Sequence, residues 1–324
     1  MSTAALTGLQ ASLFGASQRL HIQHGPTDLV IDADGPDRLA LFEVAVTAMG
    51  DVLAELAEEL ALLRAPWNAA HPPAGTVARR MHAACDIAGE LFVTPMAAVA
   101  GAIADHVLAA MLESEAARSS SKISVNNGGD IAFWTGEGAI THAAISSPAI
   151  DHPNGCGITL RGPTAWRGMA TSGFGGRSLS PGIADSVTVL ADCAATADVA
   201  ATLIAGAVDC PDTNGIRRRP AHDIHPDSDL GARLVTVEVP PLEVEQIASA
   251  LEAGRKLARR MMQGGRLAGA VLELQGEITV VGLDDPTASL TGRNFQRQIH
   301  EREELTNALF SASQDDALFR DYSS

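Results

Sequence analysis

The alternation of apolar and polar residues is clearest near the start of the chain. Residues 19–25 and 27–33 each alternate on either side of Gly25-Pro26, a pattern that predicts a β-hairpin. Helical spacing of apolar residues follows, from the turn Asp34-Gly35-Pro36 to about Arg64. Further helices are predicted over residues 76–90, 95–118, 194–208 and 244–262.

Short apolar runs between polar turns predict most of the remaining elements as strands. They cover residues 123–125, 131–134, 141–146, 157–161, 167–171, 186–191, 234–239, 267–274 and 277–282. Helices and strands are mixed without regular βαβ alternation, which favours an α+β fold over a doubly wound parallel sheet. We expect one domain, or two intimate subdomains, over residues 1–283 and a charged, loosely packed tail over 284–324.

Composition and charge narrow the function classes. The 324 residues are 46% hydrophobic, as in a folded protein, and carry a net charge of −16. That charge argues against nucleic-acid or anionic-membrane binding, so an anionic ligand requires a local positive pocket or a bridging metal ion. Aromatic residues are only 4%, and a chain so rich in small residues is suited to homodimer formation.

The distribution of cysteines and apolar residues indicates a cytoplasmic protein. The cysteines form no CxxC pair, as is typical of a reducing compartment; they are Cys85, Cys156, Cys193 and Cys210. The first residues lack the basic start and apolar core of a signal peptide. The apolar stretch Met96–Leu112 is interrupted by Asp105 and His106, so no membrane span is predicted.

The segment Trp166–Asp185 concentrates glycines, hydroxyls and one arginine just before an apolar strand. Such a loop can bring backbone N–H groups, hydroxyls and the guanidinium of Arg177 against one anionic ligand. The alternative is an ordinary Gly/Ser surface turn. Within the segment, Arg177 and Asp185 are the candidate catalytic residues.

Two further polar motifs allow both a structural and a ligand-binding interpretation. The run Asn126-Asn127-Gly128-Gly129-Asp130 predicts either a hairpin turn or a turn that faces a ligand. Asp198 and Thr202 stand at positions i and i+4 of one helix face, where their oxygens can coordinate Mg²⁺. Equally, Asp198 can simply favour a helix N-terminus.

Two other segments are open in the same way. The small residues from Thr94 to Asp105 predict a helix that packs closely on another backbone or a flat ring, with Asp105 as a cap. Arg217–Asp229 combines arginines, histidines and acids at spacings that match no common metal site. It predicts a loop facing phosphate or a partner, or a solvated polar loop.

Taken in order, these motifs resemble those of the ApbE-type FAD:protein FMN transferases. The matching segments are Val99–Asp105, Val125–Ile131, Ala170–Gly173, Ser186–Val189 and Ala197–Thr202. Longer phrases over most of the chain resemble an uncharacterised ApbE-like branch of that superfamily. They are His24-Gly-Pro, Ala78–Met81, Thr94–Gly101, Asn126–Asp130, Gly176–Ser178 and Asp227–Gly231.

The resemblance implies a fold, a ligand and a metal. The fold would be ApbE-like, related to the T-fold, with mixed, mainly antiparallel sheets packed with helices. FAD or FMN would bind with Mg²⁺, and the metal would be held by Asp198, Thr202 and the backbone carbonyl near Ala100. The implied nucleotide contacts are Asn126, Asn127, Gly128, Gly129, Asp130, Thr171, Ser172, Gly173, Arg177 and Ser178.

The implied reaction transfers FMN from FAD to a threonine of an acceptor flavoprotein, with AMP leaving. Two departures from the transferase pattern stand in this chain: Ala100 replaces the lysine of an Ala-Lys-Gly step, and Ser178–Asp185 replaces a His-Ile-Ile-Asp-Pro segment. Two alternatives therefore stay open. One is an enzyme acting on another anionic molecule through Arg177 and Arg217–Arg219, and the other is a flavin carrier that serves a partner reductase.

Overall fold

One antiparallel sheet organises the part of the chain that the structure, a computed structural model, describes: residues 8–15, 18–145, 157–176, 178–211 and 213–291. Within these residues nine strands pair in a single order. They are β1 (Leu9–Phe14), β2 (Arg19–His24), β3 (Thr27–Ala33), β4 (Lys122–Asn127), β5 (Asp130–Thr135), β8 (Gly168–Ser172), β9 (Ser186–Ala191), β12 (Leu267–Leu274) and β13 (Glu277–Gly282).

A smaller sheet covers one face of the large one. It consists of β6 (Ile140–Ala144), β7 (Gly157–Arg161) and β14 (Ala288–Thr291), and a separate pair is formed by β10 (Arg217–Pro220) and β11 (Leu234–Glu238). The sequence assigned β14 to the tail, yet it pairs with β7 in the register Ala288 to Leu160. The rest of that tail, from residue 292, lies outside the described residues.

The helices pack on the opposite face. They are α1 (Arg38–Ala48), α2 (Val52–Glu58), α3 (Leu60–Leu63), α4 (Thr76–Ala84), α5 (Val99–Glu113), α6 (Ala194–Ala207), α7 (Ala221–Ile224) and α8 (Val244–Met262). Short 3₁₀ turns cover Cys85–Ala88, Pro95–Ala98 and Glu115–Ser119. Alanines fill much of the space between α6 and the sheet, which explains how a chain with few aromatic residues builds its core.

The predicted α+β class and antiparallel pairing are confirmed, and so are the β2–β3 hairpin and the bounds of α8. The single helix predicted to reach Arg64 is wrong, because the chain forms three helices there. Glycine costs about 1 kcal/mol in a helix interior. The first helix ends at Ala48, and just beyond it the N–H of Gly50 closes a tight turn on Thr47 O at 3.1 Å.

Two other predicted helices are shorter than expected. The helix predicted over 76–90 ends at Ala84 in a 3₁₀ turn, and that over 95–118 is helical in α geometry only over Val99–Glu113. Pro95–Glu113 is long and apolar enough to cross a membrane by length and composition alone. In the fold this segment lies between helices and strands β4 and β5, with Ile103, Val107 and Met111 buried.

Candidate functional site

The backbones of α5 and α6 touch where the two helices cross. A Cβ on Gly101 would lie 2.3 Å from Ala194 O and 2.7 Å from Ala195 N, so no larger residue fits without moving one helix. The flanking Ala102 and Ala104 are completely buried. The prediction that this small-residue helix packs closely on another backbone is confirmed.

At this crossing each helix caps the other. The Asp105 carboxylate of α5 accepts the N–H groups of Ala194 and Ala195 at 3.0 and 2.9 Å, at the start of α6. The Asp198 carboxylate of α6 accepts the N–H of Gly101 at 3.1 Å, in the first turn of α5. Neither helix has a side-chain cap of its own, so these acids supply acceptors that the first turns otherwise lack. The predicted capping role of Asp105 is confirmed.

The Asn-Asn-Gly-Gly-Asp motif joins β4 to β5 and reaches this crossing. Gly128 and Gly129 have φ values of 66° and 119°, a left-handed conformation that favours glycine. The side chain of Asn126 accepts the N–H of Gly129 at 2.8 Å. Asn127 Nδ2 donates to Ala100 O at 3.1 Å, so the turn is docked on the first turn of α5. The hairpin interpretation is correct; whether a ligand also binds there stays a prediction.

Asp198 and Asp130 give the crossing its electrostatic character. Burial raises the pKa of Asp198 well above its ordinary range, and the neighbouring charge of Asp130 raises it further. The N–H of Gly101 opposes this shift by stabilising the carboxylate. The Asp198 side chain is half-buried rather than sealed, so its surroundings combine poor solvation with a second acid.

The metal donors implied by the resemblance fall along this seam, which we define as Ala100, Gly101, Asn127, Asp130, Asp198 and Thr202. The carboxylate of Asp198 and the carbonyl of Ala100 belong to one hydrogen-bonded group, and Thr202 lies one turn further along α6. These are hard oxygen donors of the kind that Mg²⁺ prefers, so the donor set fits the ion. Among the described residues, no group of three or more His, Cys, Asp or Glu side chains is arranged to hold a metal.

The Thr-Ser-Gly residues divide between the two faces of the sheet. Ala170 belongs to the core under α6, whereas Met169 belongs to the core under the small sheet. Because side chains alternate along a strand, Thr171 faces the small sheet, where its hydroxyl lies 2.8 Å from that of Thr188. Thr171 is therefore turned away from Asp198, while the half-buried Ser172 is on the α6 side.

The remaining predicted site residues belong to the loop between β8 and β9. Asp185 precedes that strand, and its carboxylate accepts the N–H of Gln275; burial raises its pKa. Gly173 is buried and Ser178 is exposed, and the structure does not bring Asp185 to the seam. Arg177 lies outside the described residues.

Beside Thr202 opens a cleft of about 480 Å³ that the sequence did not reveal. Residues 91–97, the C-terminal half of α6, the end of the Gly-rich loop and residues 229–235 surround it. The Thr94 hydroxyl donates to the Asp229 carboxylate across 135 residues of chain, and the Arg233 guanidinium lies 3.3 Å above the centre of the Phe92 ring. The sequence contains the Thr94-Pro and Asp227-Ser-Asp motifs, but nothing in it showed that these two segments are in contact.

Two of the three consecutive arginines form ion pairs with acidic side chains. Arg217 pairs with Glu238 at 2.8 Å, and Arg218 pairs with Asp209 at 2.5 Å. The first ion pair joins β10 to β11, and the second joins β10 to the segment that follows α6. This favours the structural interpretation of the Arg217–Asp229 segment over a phosphate-binding one.

The sequence of this chain matches a known protein family. The family model described as AbpE bacteria matches residues 11–280. The chain belongs to this family. The ApbE-like resemblance that its motifs predicted is thereby confirmed.

Relatives of the chain occur among archaeal proteins. The UPF0280 protein of Methanothrix thermoacetophila is 33% identical over 178 residues, covering 51% of this chain and 69% of that protein. That of Methanobrevibacter smithii is 34% identical over 144 residues, covering 43% of this chain and 56% of that protein. That of Methanothermobacter thermautotrophicus is 38% identical over 121 residues, covering 37% of this chain and 44% of that protein. The chain thus spans about half the length of the last two.

Among solved structures, the apo form of the Pseudomonas stutzeri flavinyl transferase ApbE is similar to this chain. The match has a TM-score of 0.45 and 12% sequence identity, and it covers 90% of this chain and 96% of that one.

Proposed function

We propose that this protein binds a flavin nucleotide at the seam, where Asp198 would help to hold a Mg²⁺ ion. The observation that carries the proposal is the convergence of two separate segments, α6 and the β4–β5 turn, on the first turn of α5. Asp198 meets Gly101 there, Asn127 meets Ala100, and Asp130 lies close enough to raise the pKa of Asp198. Membership of the ApbE-like family supports flavin as the ligand.

Charge explains why a cation belongs in this proposal. The protein carries a net charge of −16, and the seam itself holds two acids, so a phosphate group alone would be repelled. A divalent cation would relieve the repulsion between Asp130 and Asp198 and offer a positive charge to the phosphates. Asp198, Thr202 and the Ala100 carbonyl would hold it, and when bound it would neutralise charge on a pyrophosphate.

The reaction that we propose is the transfer of FMN from FAD to a hydroxyl of a cytoplasmic acceptor protein. The hydroxyl oxygen forms a bond to the phosphorus of the FMN half, and the bond from that phosphorus to the bridging oxygen breaks. AMP leaves with the bridging oxygen, and the hydroxyl proton passes to solvent or a base. In this chain Asn127 would hold the Ala100 carbonyl in place, and the N–H of Gly101 would fix one oxygen of Asp198.

Calorimetric titration of the protein with FMN and FAD, with and without Mg²⁺, tests the binding. We expect binding that depends on Mg²⁺ and weakens at least about tenfold in Asp198→Asn. The matched control is Asp223→Asn, which removes an exposed acid far along the chain from the seam. Flavin binding that neither Mg²⁺ nor Asp198→Asn changes would contradict the proposed site.

Release of AMP from FAD tests the reaction. In the presence of Mg²⁺ and an acceptor protein with an accessible threonine, a transferase releases one AMP for each flavin that becomes covalently attached. Tight flavin binding without AMP release would instead identify a carrier. That second outcome is favoured by one observation, the alanine at position 100 in place of the transferase lysine.

A further inference from the structure

The cleft beside Thr202 is continuous with the seam. Ala97 and Thr202 line it, and they lie one turn before Gly101 and one turn after Asp198 in the two crossing segments. Its volume of about 480 Å³ is within the range of small-molecule sites, roughly 300–1,000 Å³. The cleft therefore extends the proposed phosphate site by a space large enough for a ring system.

The walls of the cleft are mainly apolar. Side chains such as Val93, Leu179, Leu203 and Leu230 line it. From Asp198 to Gly206, which also lines the cleft, is eight helical residues, or about 12 Å along α6. A ligand with a charged end at Asp198 and a flat apolar end some 10 Å away matches this gradient.

Arg233 and Phe92 form a flat wall at one side. The guanidinium carbon lies over the ring, 3.3 Å from its centre, so a cation–π contact with Phe92 helps to hold the arginine in place. A guanidinium plane can stack on a second ring, and it favours a ring that carries carbonyl oxygens or ring nitrogens. The hydrogen bond between Thr94 and Asp229 anchors the loop that carries Arg233.

Leu234 stands at the mouth of the cleft with 55% of its surface exposed, and Leu91 with 39%. Burial of such side chains by a ligand is favourable at roughly 25 cal/mol per Å². A purely ionic ligand would leave both leucines in water. Apolar rims beside a charged seam thus indicate an amphiphilic ligand.

We infer that this cleft is the ring-binding subsite for the nucleotide whose phosphates lie at the seam. Arg233 and Phe92 form its stacking wall, and Leu179 and Leu234 flank the ring. The inference rests on the proposed function and adds the residues that select a flat heteroaromatic ring.

Riboflavin tests the ring subsite without the phosphate site, because it carries the flavin ring and no phosphate. Its binding is followed by flavin fluorescence in the absence of Mg²⁺. We expect riboflavin and FMN to bind about tenfold more weakly to Arg233→Ala and to Leu234→Asp. The control is Leu39→Asp, since Leu39 is 54% exposed on α1 and does not line the cleft; it should bind both ligands like the wild type.

The outcomes separate the two proposals. Riboflavin binding that survives Asp198→Asn but weakens in the cleft variants supports the ring subsite. If FMN binding is lost in Asp198→Asn but unchanged in Arg233→Ala and Leu234→Asp, the ring subsite is overturned while the phosphate site stands. If AMP but not riboflavin shows the cleft-variant dependence, the subsite is supported and its ring is adenine. If the wild type binds none of these ligands, both proposals fail.

Discussion

Asp105 and Asp198 each accept N–H groups from the first turn of the opposite helix at one crossing, yet their surroundings differ. Asp105 accepts two N–H groups of α6, is only 7% exposed, and has the positive charge of Arg80 nearby to oppose the rise in its pKa. Asp198 accepts the N–H of Gly101, is half-buried, and has the acid Asp130 as its neighbour.

The difference teaches how a capping acid is distinguished from a ligand-binding acid. Burial raises the pKa of both carboxyls, so a perturbed pKa alone does not separate them. What separates them is the neighbourhood: Asp105 is enclosed by its hydrogen-bond donors, whereas Asp198 joins a second acid, a backbone carbonyl and an adjoining cleft. We therefore propose a stabilising role for Asp105 and a ligand-binding role for Asp198.

The largest expected effect comes from Asp105→Ala. This change removes two hydrogen bonds to a carboxylate and leaves two buried N–H groups without acceptors, so the free energy of unfolding should fall by about 3 kcal/mol. Chemical denaturation measures the loss. Asp105→Asn should cost less, because its amide oxygen still accepts one N–H. A loss below about 1 kcal/mol in Asp105→Ala would contradict the structural role.

Gly101→Ala should weaken both helix caps, the one from Asp105 and the one from Asp198. The new Cβ would lie 2.3 Å from Ala194 O, so the helices must separate and both acids lose their alignment. Overpacking of this kind costs about 2 kcal/mol, more than the helix propensity that alanine gains. The control is Gly264→Ala, where the nearest atom is an ordinary 3.5 Å away and the stability should stay within about 0.5 kcal/mol. Equal stability of the two variants would show that the crossing is loose.

How much of this comparison the sequence could predict depends on the range of each interaction. Spacing of small residues predicted the close packing at Gly101 and the cap by Asp105, because helix periodicity fixes which residues share a face. The bounds of α8 followed in the same way. The break at Gly50 did not, since the apolar spacing continues across it and only the backbone shows the interruption.

Contacts between distant segments lay beyond the sequence. Thr94 and Asp229 are 135 residues apart, and no local pattern shows that they share a hydrogen bond. The same holds for Thr171, whose position on the face of the small sheet depends on the strand register rather than on its motif. Motif order thus predicted the family and the seam, whereas the cleft required the three-dimensional arrangement.

Asp198→Asn tests whether this acid, unlike Asp105, matters for metal binding more than for stability. The amide keeps an oxygen that can accept the N–H of Gly101, so the free energy of unfolding should change by less than about 1 kcal/mol. The loss of charge should weaken Mg²⁺ binding at least about tenfold, or about 1.4 kcal/mol. Calorimetric titration with Mg²⁺ measures this. If instead Asp198→Asn unfolds the protein as readily as Asp105→Ala, the two acids do not differ in role.

Asp34, a half-buried acid outside the helix crossing, provides a reference for Asp105 and Asp198. Its carboxylate accepts the N–H groups of Ser121 and Lys122 at 2.6 and 2.9 Å, and also the hydroxyl of Ser121. Partial burial pushes its pKa upward, but these hydrogen bonds outweigh that effect and lower the pKa below its ordinary value. Carboxylates that accept backbone N–H groups thus have a lowered pKa at Asp34 and a raised pKa at the crossing.

Asp34→Asn should therefore cost about 1 kcal/mol of unfolding free energy at pH 7. Because the folded pKa is depressed, the contribution of the carboxylate is complete above the unfolded pKa of about 3.9 and is lost as the pH falls through the lower folded value. Urea denaturation of the wild type and variant at pH 7, 4 and 3 measures the difference, which should shrink with the pH. A difference that grows on acidification would mean that the hydrogen bonds do not set this pKa, and burial would then govern all three acids alike.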